Sequence, residues 1–186
     1  LLRIMKEDLR YAICLGTGVH IDPAAVKDDM QAALFQTESG VTIRLLRNGK
    51  CRAFIGHHSY RVFGTKGYYE RIAERGETPP KVRFQSEALY GAMELTELPV
   101  DSMPHEYAGN SLAVGHGGMD YALLDHMFSA MRNGAPEMPI TLRDGLRMTL
   151  PGIYAAKSAQ LKGEKLTIHY PWEKEFAADI PLIDGE

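Results

Sequence analysis

The stretch Tyr60-Arg61-Val62-Phe63-Gly64-Thr65-Lys66-Gly67-Tyr68-Tyr69-Glu70 sets the pattern for the first half of this chain. Two short runs rich in aromatic and β-branched residues, which are typical of strands, stand on either side of residues 64–67. The two glycines of that segment bracket a tight reversal, because glycine adopts the backbone conformations that turns require. The sequence therefore predicts two strands joined by a turn.

The residues before this pair of strands alternate in the same way. Residues 30–37 and 41–46 are predicted strands, and the turn residues Glu38-Ser39-Gly40 separate them. Asn48-Gly49 follows, and this pair supplies the positive-φ residues of a type I′ turn, which predicts a further strand over residues 51–55. Because consecutive strands usually pair, we expect residues 30–70 to form one antiparallel meander.

Residues 71–110 are rich in Glu, Pro and Gly and contain two short candidate strands, at residues 82–84 and 93–98. We expect a long excursion from the sheet in this region. An active-site lid, a partner-binding arm and an ordinary surface insertion are all compatible with the pattern.

The period of the apolar residues changes to about 3.6 after Gly117-Gly118, which indicates helices. A first helix ends at Asn133-Gly134 and shows one apolar face, made of Tyr121, Leu124, Met127, Phe128 and Met131. A second helix is predicted from Thr141, where residues 141–144 resemble a capping box, to about residue 161, with a kink at Pro151. A strand over residues 166–170 closes the chain. The fold class is therefore α+β: a mainly antiparallel open β-sheet with two helices packed on one face, in a single domain.

Bulk composition excludes several classes of function. The chain has 186 residues, with 21 basic against 24 acidic side chains and a net charge of -3, so a nucleic-acid binder is not expected. No apolar run reaches the length of about 18 residues that indicates a membrane helix, so we expect a soluble, cytoplasmic protein, or an exported one if a missing N-terminus carries a signal. Cys14 and Cys51 are predicted to be free thiols. The chain begins without Met, which suggests that part of the parent protein is missing.

Two segments together carry a resemblance to a known family. Residues 60–67, quoted above, and Gly115-His116-Gly117-Gly118-Met119-Asp120, which opens the first helix, are similar to strings in the C-terminal domains of Gfo/Idh/MocA oxidoreductases. The His-Gly-Gly-Met-Asp string most resembles the branch that includes the NAD-dependent glycosidases. The resemblance implies a dihydrodipicolinate-reductase-like C-terminal domain that binds a sugar or polyol substrate and forms homodimers or higher homo-oligomers.

The same resemblance implies that the cofactor, NAD or NADP, is bound mainly by a Rossmann domain that this chain lacks. No G-x-G-x-x-G follows a predicted strand, and the nearest approach, Gly16-Thr17-Gly18, lacks the third glycine. The family's Glu-Lys-Pro motif, which carries its catalytic lysine, is also absent. Asp101 and His105 match the spacing of another family motif, but Pro104 between them favours coincidence. We therefore expect no catalytic residue and no cofactor on this chain, and no activity from it alone.

Six residues are candidates for contact with substrate: His116, His58, Tyr60, Arg61, Asp120 and Arg44. His116 is flanked by glycines that allow close backbone approach and precedes a helix N-terminus, although it could equally cap or pack. Asp120 lies in the first helical turn, where a carboxylate is favoured by the macrodipole whatever its function. His57 and His58 are adjacent on a predicted strand, so at most one faces a ligand. Arg44 could reach a sugar hydroxyl, pair across a subunit interface or simply be solvated.

Two helices cannot cover a wide sheet, so we expect one open apolar face that mediates two-fold pairing, with Phe54, Phe63, Tyr68 and Tyr69 as contributors. A stand-alone interaction module without catalysis is the alternative function. A metal hydrolase using His57, His116 and Asp120 is disfavoured, because no His-Glu-x-x-His spacing occurs.

Overall fold

A computed structural model describes residues 2–51, 59–72, 81–90, 95–99, 119–134 and 140–173. The chain divides into two compact units, one formed by Leu1–Cys51 with Gly134–Glu186 and the other by Arg52–Asn133. The elements, in chain order, are α1 (Leu2–Met5), β1 (Leu9–Gly16), β2 (Met30–Thr37), β3 (Thr42–Asn48), β4 (Tyr60–Gly64), β5 (Gly67–Ile72), β6 (Lys81–Ser86), α2 (Glu87–Tyr90), β7 (Thr96–Pro99), α3 (Met119–Arg132), α4 (Leu142–Gln160) and β8 (Leu166–Thr167).

The first unit is an antiparallel sheet, in the order β3-β2-β1-β8, with α4 packed on one of its faces. Alternate residues of β1 and β2, including Ala12, Cys14, Ala33 and Phe35, point to that face and are buried. The helix contributes its own buried stripe, which consists of Leu150, Pro151, Tyr154, Ala155 and Ser158. The core of this unit therefore lies between α4 and the two central strands.

The start of α4 agrees with the sequence prediction. Thr141 is the N-cap: its hydroxyl accepts a hydrogen bond from the backbone N–H of Asp144, and the Asp144 carboxylate accepts one from the backbone N–H of Thr141. This reciprocal pair satisfies two backbone donors that a helix start otherwise leaves unpaired. The predicted helix is confirmed to within one residue at each end.

Ser158 joins the last turns of α4 to β1. It is fully buried, accepts a hydrogen bond of 2.8 Å from the backbone N–H of Cys14 and donates one of 2.6 Å to the carbonyl of Glu164. β8 pairs with β1 only at Tyr11 and Ala12, so the hydroxyl takes the place of a strand partner for Cys14. A buried N–H without such a partner would destabilise the fold.

Tyr170 is buried in the core of the first unit. It is 1 % exposed, its hydroxyl donates a hydrogen bond of 3.0 Å to the carbonyl of Leu9, and its ring stacks on Trp172 with 4.8 Å between centroids. The guanidinium of Arg143 covers the Trp172 ring at 4.4 Å from its centroid. Through these contacts, residues 170–172, which follow β8, are connected to β1 and to the start of α4.

The ionisation of Tyr170 gives the fold a predicted pH dependence. Burial, and then the nearby charge of Asp8, raise the pKa of the Tyr170 phenol well above its ordinary value. In the unfolded chain the same phenol ionises at about pH 10. Above that pH the phenol ionises more readily in the unfolded chain than in the folded one, so the free energy of unfolding falls as the pH rises. Tyr170→Phe removes the hydrogen bond to Leu9 and should lower the unfolding free energy at pH 8 by about 1–3 kcal/mol.

Urea denaturation of wild type and Tyr170→Phe at pH 8 and at pH 11 measures this effect. The difference in unfolding free energy between the two proteins should be smaller at pH 11 than at pH 8, because only the wild type carries the phenol. An equal difference in unfolding free energy at the two pH values would contradict the prediction.

The second unit contains an antiparallel sheet in the order β4-β5-β6-β7, together with α2 and α3. The predicted reversal at residues 64–67 is confirmed, because Gly64 pairs directly with Gly67 in the β4–β5 hairpin. Residues 71–110, predicted as an excursion, supply β6 and β7 to this sheet. The candidate strands at residues 82–84 and 93–98 overlap these two elements.

α3 has the predicted extent and ends before Gly134, whose φ is +62°. Its apolar residues keep helical spacing, yet Ala122 is buried, whereas the predicted face of Tyr121, Leu124, Met127, Phe128 and Met131 is exposed.

The α+β class with antiparallel strands is confirmed, but the prediction of one meander over residues 30–70 is wrong. β3 and β4 belong to different sheets. The Asn48 side chain accepts a hydrogen bond from the N–H of Cys51 and donates one to its carbonyl, so this segment closes on itself. Cys51 lies in a bend, and the rest of the predicted strand at residues 51–55 lies outside the described residues.

Candidate functional site

Tyr60 and Arg61 are neighbours on β4 and therefore point to opposite faces of the second sheet. Arg61 pairs in register with Glu70 on β5, and its Nε donates a hydrogen bond of 2.6 Å to a Glu70 carboxylate oxygen. Glu70 is 8 % exposed and needs such a partner, because a buried carboxylate without a counter-charge is costly. The hydrogen bond to Glu70 raises the pKa of the exposed Arg61 guanidinium.

The ion pair is part of a row of charges across the second sheet. Register pairs Glu70 with Arg83 and Arg83 with Glu97, so these side chains share the face of Arg61. Glu97 accepts hydrogen bonds from Lys81, at 2.8 Å, and from Arg83, at 3.0 Å, which lower the pKa of its carboxyl. Arg61 thus has a structural role in this row, because its Nε holds the Glu70 carboxylate.

The opposite face of the second sheet, which carries Tyr60, is mainly apolar, and it also holds Arg71, which pairs in register with Tyr60. Register and alternation place Val62, Tyr69, Phe84 and Leu98 on the same side as Tyr60. Tyr60 itself is 42 % exposed. Tyr60 and Arg61 therefore cannot both contact one small ligand on this sheet.

The remaining candidates are dispersed. Asp120 lies exposed in the first turn of α3, where the helix dipole favours a carboxylate. His58 and His116 lie outside the described residues, as do His57 and Phe54. Arg44 is on β3 and belongs to the other unit.

Arg44 stands on the face of the first sheet that α4 does not cover. Register places Ile13, Leu34 and Arg44 in one row, and Leu15, Ala32 and Leu46 in the next. Leu15, Leu34 and Leu46 are exposed, so these two rows of the open sheet face are apolar apart from Arg44. On the same face, the ammonium group of Lys165 lies 3.9 Å from the centroid of the Tyr11 ring. Phe63, Tyr68 and Tyr69, expected to contribute to such a face, instead lie in the second sheet.

The second unit also carries a cleft that the sequence did not predict. The turn cleft, as we name it, has a volume of about 410 Å³ and surrounds the β4–β5 turn. Its lining consists of Phe63, Gly64, Thr65, Lys66, Gly67, Tyr68, Gln85 and Glu87. A Cβ atom on Gly67 would lie 2.5 Å from the carbonyl oxygen of Gln85, so only glycine allows β6 this close to the turn.

The turn at Gly16-Thr17-Gly18 does not fit the phosphates of a dinucleotide. Residues 17–29, after Gly16-Thr17-Gly18, form turns and bends rather than the helix whose N-terminus would hold a pyrophosphate. A Cβ atom on Gly16 would collide with the carboxylate of Asp28, so an acidic group already occupies the space beside this glycine. This turn therefore does not act as a nucleotide-binding loop.

Within the described ranges, no three His, Cys, Asp or Glu side chains are grouped so that they could hold a metal ion. The described helices also include none with the length and apolar character that a bilayer crossing requires.

Comparison with known proteins gives matches of structure only. No protein-family model and no curated protein matches the sequence. The fold is similar to aldose-aldose oxidoreductase from Caulobacter crescentus complexed with glycerol, at a TM-score of 0.60 and 18% identity, over 90% of this chain and 43% of that one. It is also similar to an inositol dehydrogenase homolog from Azotobacter vinelandii complexed with NADH and myo-inositol, at a TM-score of 0.59 and 13% identity, over 88% and 45%.

An oxidoreductase from Sinorhizobium meliloti matches at a TM-score of 0.56 and 16% identity, over 89% of this chain and 48% of that one. The chain has the fold of an oxidoreductase C-terminal domain. It spans less than half the length of each of these three solved structures.

Proposed function

We propose that this chain is the substrate-binding and dimerisation domain of an NAD(P)-dependent sugar or polyol oxidoreductase of the Gfo/Idh/MocA type. The observation that carries the proposal is coverage: about nine-tenths of the chain superposes on less than half of oxidoreductases whose bound molecules are glycerol or NADH with myo-inositol. The two motifs at residues 60–67 and 115–120 support the same family. Because hydride transfer needs a bound nicotinamide, this chain alone is expected to be inactive.

In this proposal the chain forms one wall of a sugar-binding cleft. Asp120 lies in the first turn of α3, and His116 precedes this helix in the sequence. His58 precedes β4 in the sequence, and β4 carries Tyr60 and Arg61. The split of Tyr60 and Arg61 between two faces means that one of them, at most, reaches the substrate. NAD or NADP binds in the domain that the proposal places before this chain.

Expression of the full reading frame that encodes these residues tests the function. We expect the longer protein to reduce NAD or NADP in the presence of a sugar or polyol, followed at 340 nm, and the 186-residue chain to show no turnover. An aryl glycoside substrate separates the NAD-dependent glycosidase branch from simple oxidation. A reading frame without a nucleotide-binding domain would instead favour a stand-alone interaction module.

Self-association through the open sheet face of the first unit is the second part of the proposal. Its exposed leucines on β1, β2 and β3 form a continuous apolar surface, which in soluble proteins usually marks an interface. A two-fold pairing of this surface is the simplest closed assembly, and Arg44 would then pair with an acidic group of the second copy.

Leu46→Asp, at a position that faces Ala32 and not a cation, is expected to disrupt this association. It would bury a carboxylate in the interface, so the dimer dissociation constant should rise about 30-fold or more. Leu142→Asp is the matched control, because Leu142 is 80 % exposed at the start of α4, where an acidic residue is favourable. Sedimentation velocity would measure both; equal association of the two variants would contradict this interface.

A further inference from the structure

We infer that the turn cleft is a binding site for a neutral monosaccharide or polyol. The inference relies on the proposed function only for the class of ligand. The position of the site comes from the geometry of the second unit, and it includes none of the six residues that the sequence singled out.

The floor of the cleft is aromatic. Phe63 and Tyr68 are cross-strand partners in the β4–β5 hairpin, with ring centroids 5.2 Å apart and planes inclined by 52°. Phe63 is 80 % exposed, so its ring is accessible from solvent. An exposed ring of this kind offers a flat apolar surface on which the C–H face of a sugar can pack, at little cost in side-chain entropy.

The rim of the cleft is polar and balanced in charge. Lys66 supplies an ammonium group, Glu87 a carboxylate and Gln85 an amide, so donors and acceptors surround the aromatic floor. One positive and one negative side chain leave the lining with no net charge. A neutral ligand with several hydroxyl groups suits this lining better than a phosphate or a carboxylate does.

The frame of the cleft is fixed by backbone contacts. Glu87 N donates a hydrogen bond of 3.1 Å to the carbonyl of Lys66, which joins the start of α2 to the turn. Gly67 allows β6 to approach the turn closely, and Gly64 lies opposite Gly67. These contacts hold Gln85 and Glu87 beside the aromatic floor without a ligand, so little ordering is needed on binding.

The volume of the cleft limits the size of the ligand. At about 410 Å³ it lies near the lower end of the range of about 300–1,000 Å³ that is typical of small-molecule sites. This volume suits a single sugar ring or a cyclic polyol. A whole dinucleotide cofactor would be too large for it.

Titration of the uniformly ¹⁵N-labelled 186-residue chain tests the inference. Myo-inositol, glucose and glycerol are the neutral probes, and gluconate is the anionic probe. We expect at least one neutral probe to shift the amide signals of residues 63–68, 85 and 87 in the millimolar range, with weaker binding of gluconate. Absence of shifts at these positions with every neutral probe, or preferential binding of gluconate, would overturn the inference.

Two variants and one control assign the contacts. Phe63→Leu keeps an apolar side chain but removes the ring, and should weaken sugar binding about 2- to 12-fold. Lys66→Gln keeps a hydrogen-bond donor without the charge, and should change the affinity for a neutral sugar by less than about 3-fold. Val62→Ala, on the opposite face of β4, is the control and should leave the affinity unchanged.

These outcomes separate the cleft from the proposed function. Phe63 is so exposed that Phe63→Leu should leave the melting curve unchanged, and an unaltered affinity in that variant would reject the cleft. Sugar-induced shifts around Asp120 without shifts at the turn would also reject the cleft while leaving the oxidoreductase proposal intact. Failure of that proposal would be seen separately, as a full-length protein without NAD(P)-dependent turnover.

Discussion

Replacement of Tyr170 by alanine is expected to lower the free energy of unfolding of the first unit by about 3–5 kcal/mol. The ring is 1 % exposed and stacks on Trp172, and its hydroxyl holds the carbonyl of Leu9 at the start of β1. Alanine would leave a cavity beside Trp172 and a buried carbonyl without a donor, and each effect is destabilising by itself. The effect should therefore exceed that of Tyr170→Phe, which keeps the ring.

Chemical denaturation followed by tryptophan fluorescence measures the change directly. Trp172 is the single tryptophan of the chain and lies in contact with Tyr170, so its emission reports on this core. Leu142→Ala, at an exposed position of α4, is the control and should change stability by less than about 0.5 kcal/mol. A loss below about 1 kcal/mol for Tyr170→Ala would show that the core does not depend on this stack.

Local chemistry made several elements predictable from sequence. The Thr141–Asp144 capping box marked the start of α4, and Gly134 marked the end of α3, because both signals act within one turn of helix. The glycines at 64 and 67 likewise fixed the β4–β5 hairpin. Each of these signals depends on nearest neighbours and not on the rest of the fold.

Elements that depend on distant partners were missed or misplaced. β1 was not predicted, although it is one of the two central strands, pairs with both β2 and β8 and carries Ala12 and Cys14 in the core. The division of the strands between two sheets also escaped prediction. Adjacency in sequence favours pairing of β3 with the next strand. The Asn48 side chain instead makes two hydrogen bonds with the backbone of Cys51, which hold residues 48–51 in a local loop.

The candidate site shows the same limit. Glu70 could have been recognised as the partner of Arg61, because the two residues are equally distant from the predicted turn and must face each other across the hairpin. The turn cleft could not, since Gln85 and Glu87 reach it through the pairing of β6 with β5. The roles of His58 and His116 remain predictions, because both lie outside the described residues.

A second large effect is expected at Asp29, which organises the loop between β1 and β2. The side chain is 2 % exposed, and its Oδ2 accepts hydrogen bonds from the backbone N–H groups of His20, at 2.8 Å, and Ile21, at 3.1 Å. The Asp29 carbonyl accepts from Gly49 and Lys50, after β3, so one residue joins two separate segments to the start of β2. Among the described residues, its other carboxylate oxygen, Oδ1, is buried and has no hydrogen-bond partner.

Asp29→Ala should lower the unfolding free energy of the first unit by about 2–4 kcal/mol, because two backbone donors lose their acceptor. Asp29→Asn should cost less, about 1–2 kcal/mol, since its amide oxygen can keep both bonds, while its NH₂ group takes the place of the unpartnered oxygen and lacks an acceptor there. Urea denaturation of the two variants, with the exposed Glu38→Gln as a control, distinguishes loss of the acceptor from loss of the charge. Equal destabilisation by alanine and asparagine would contradict the role of the accepting oxygen in holding the loop.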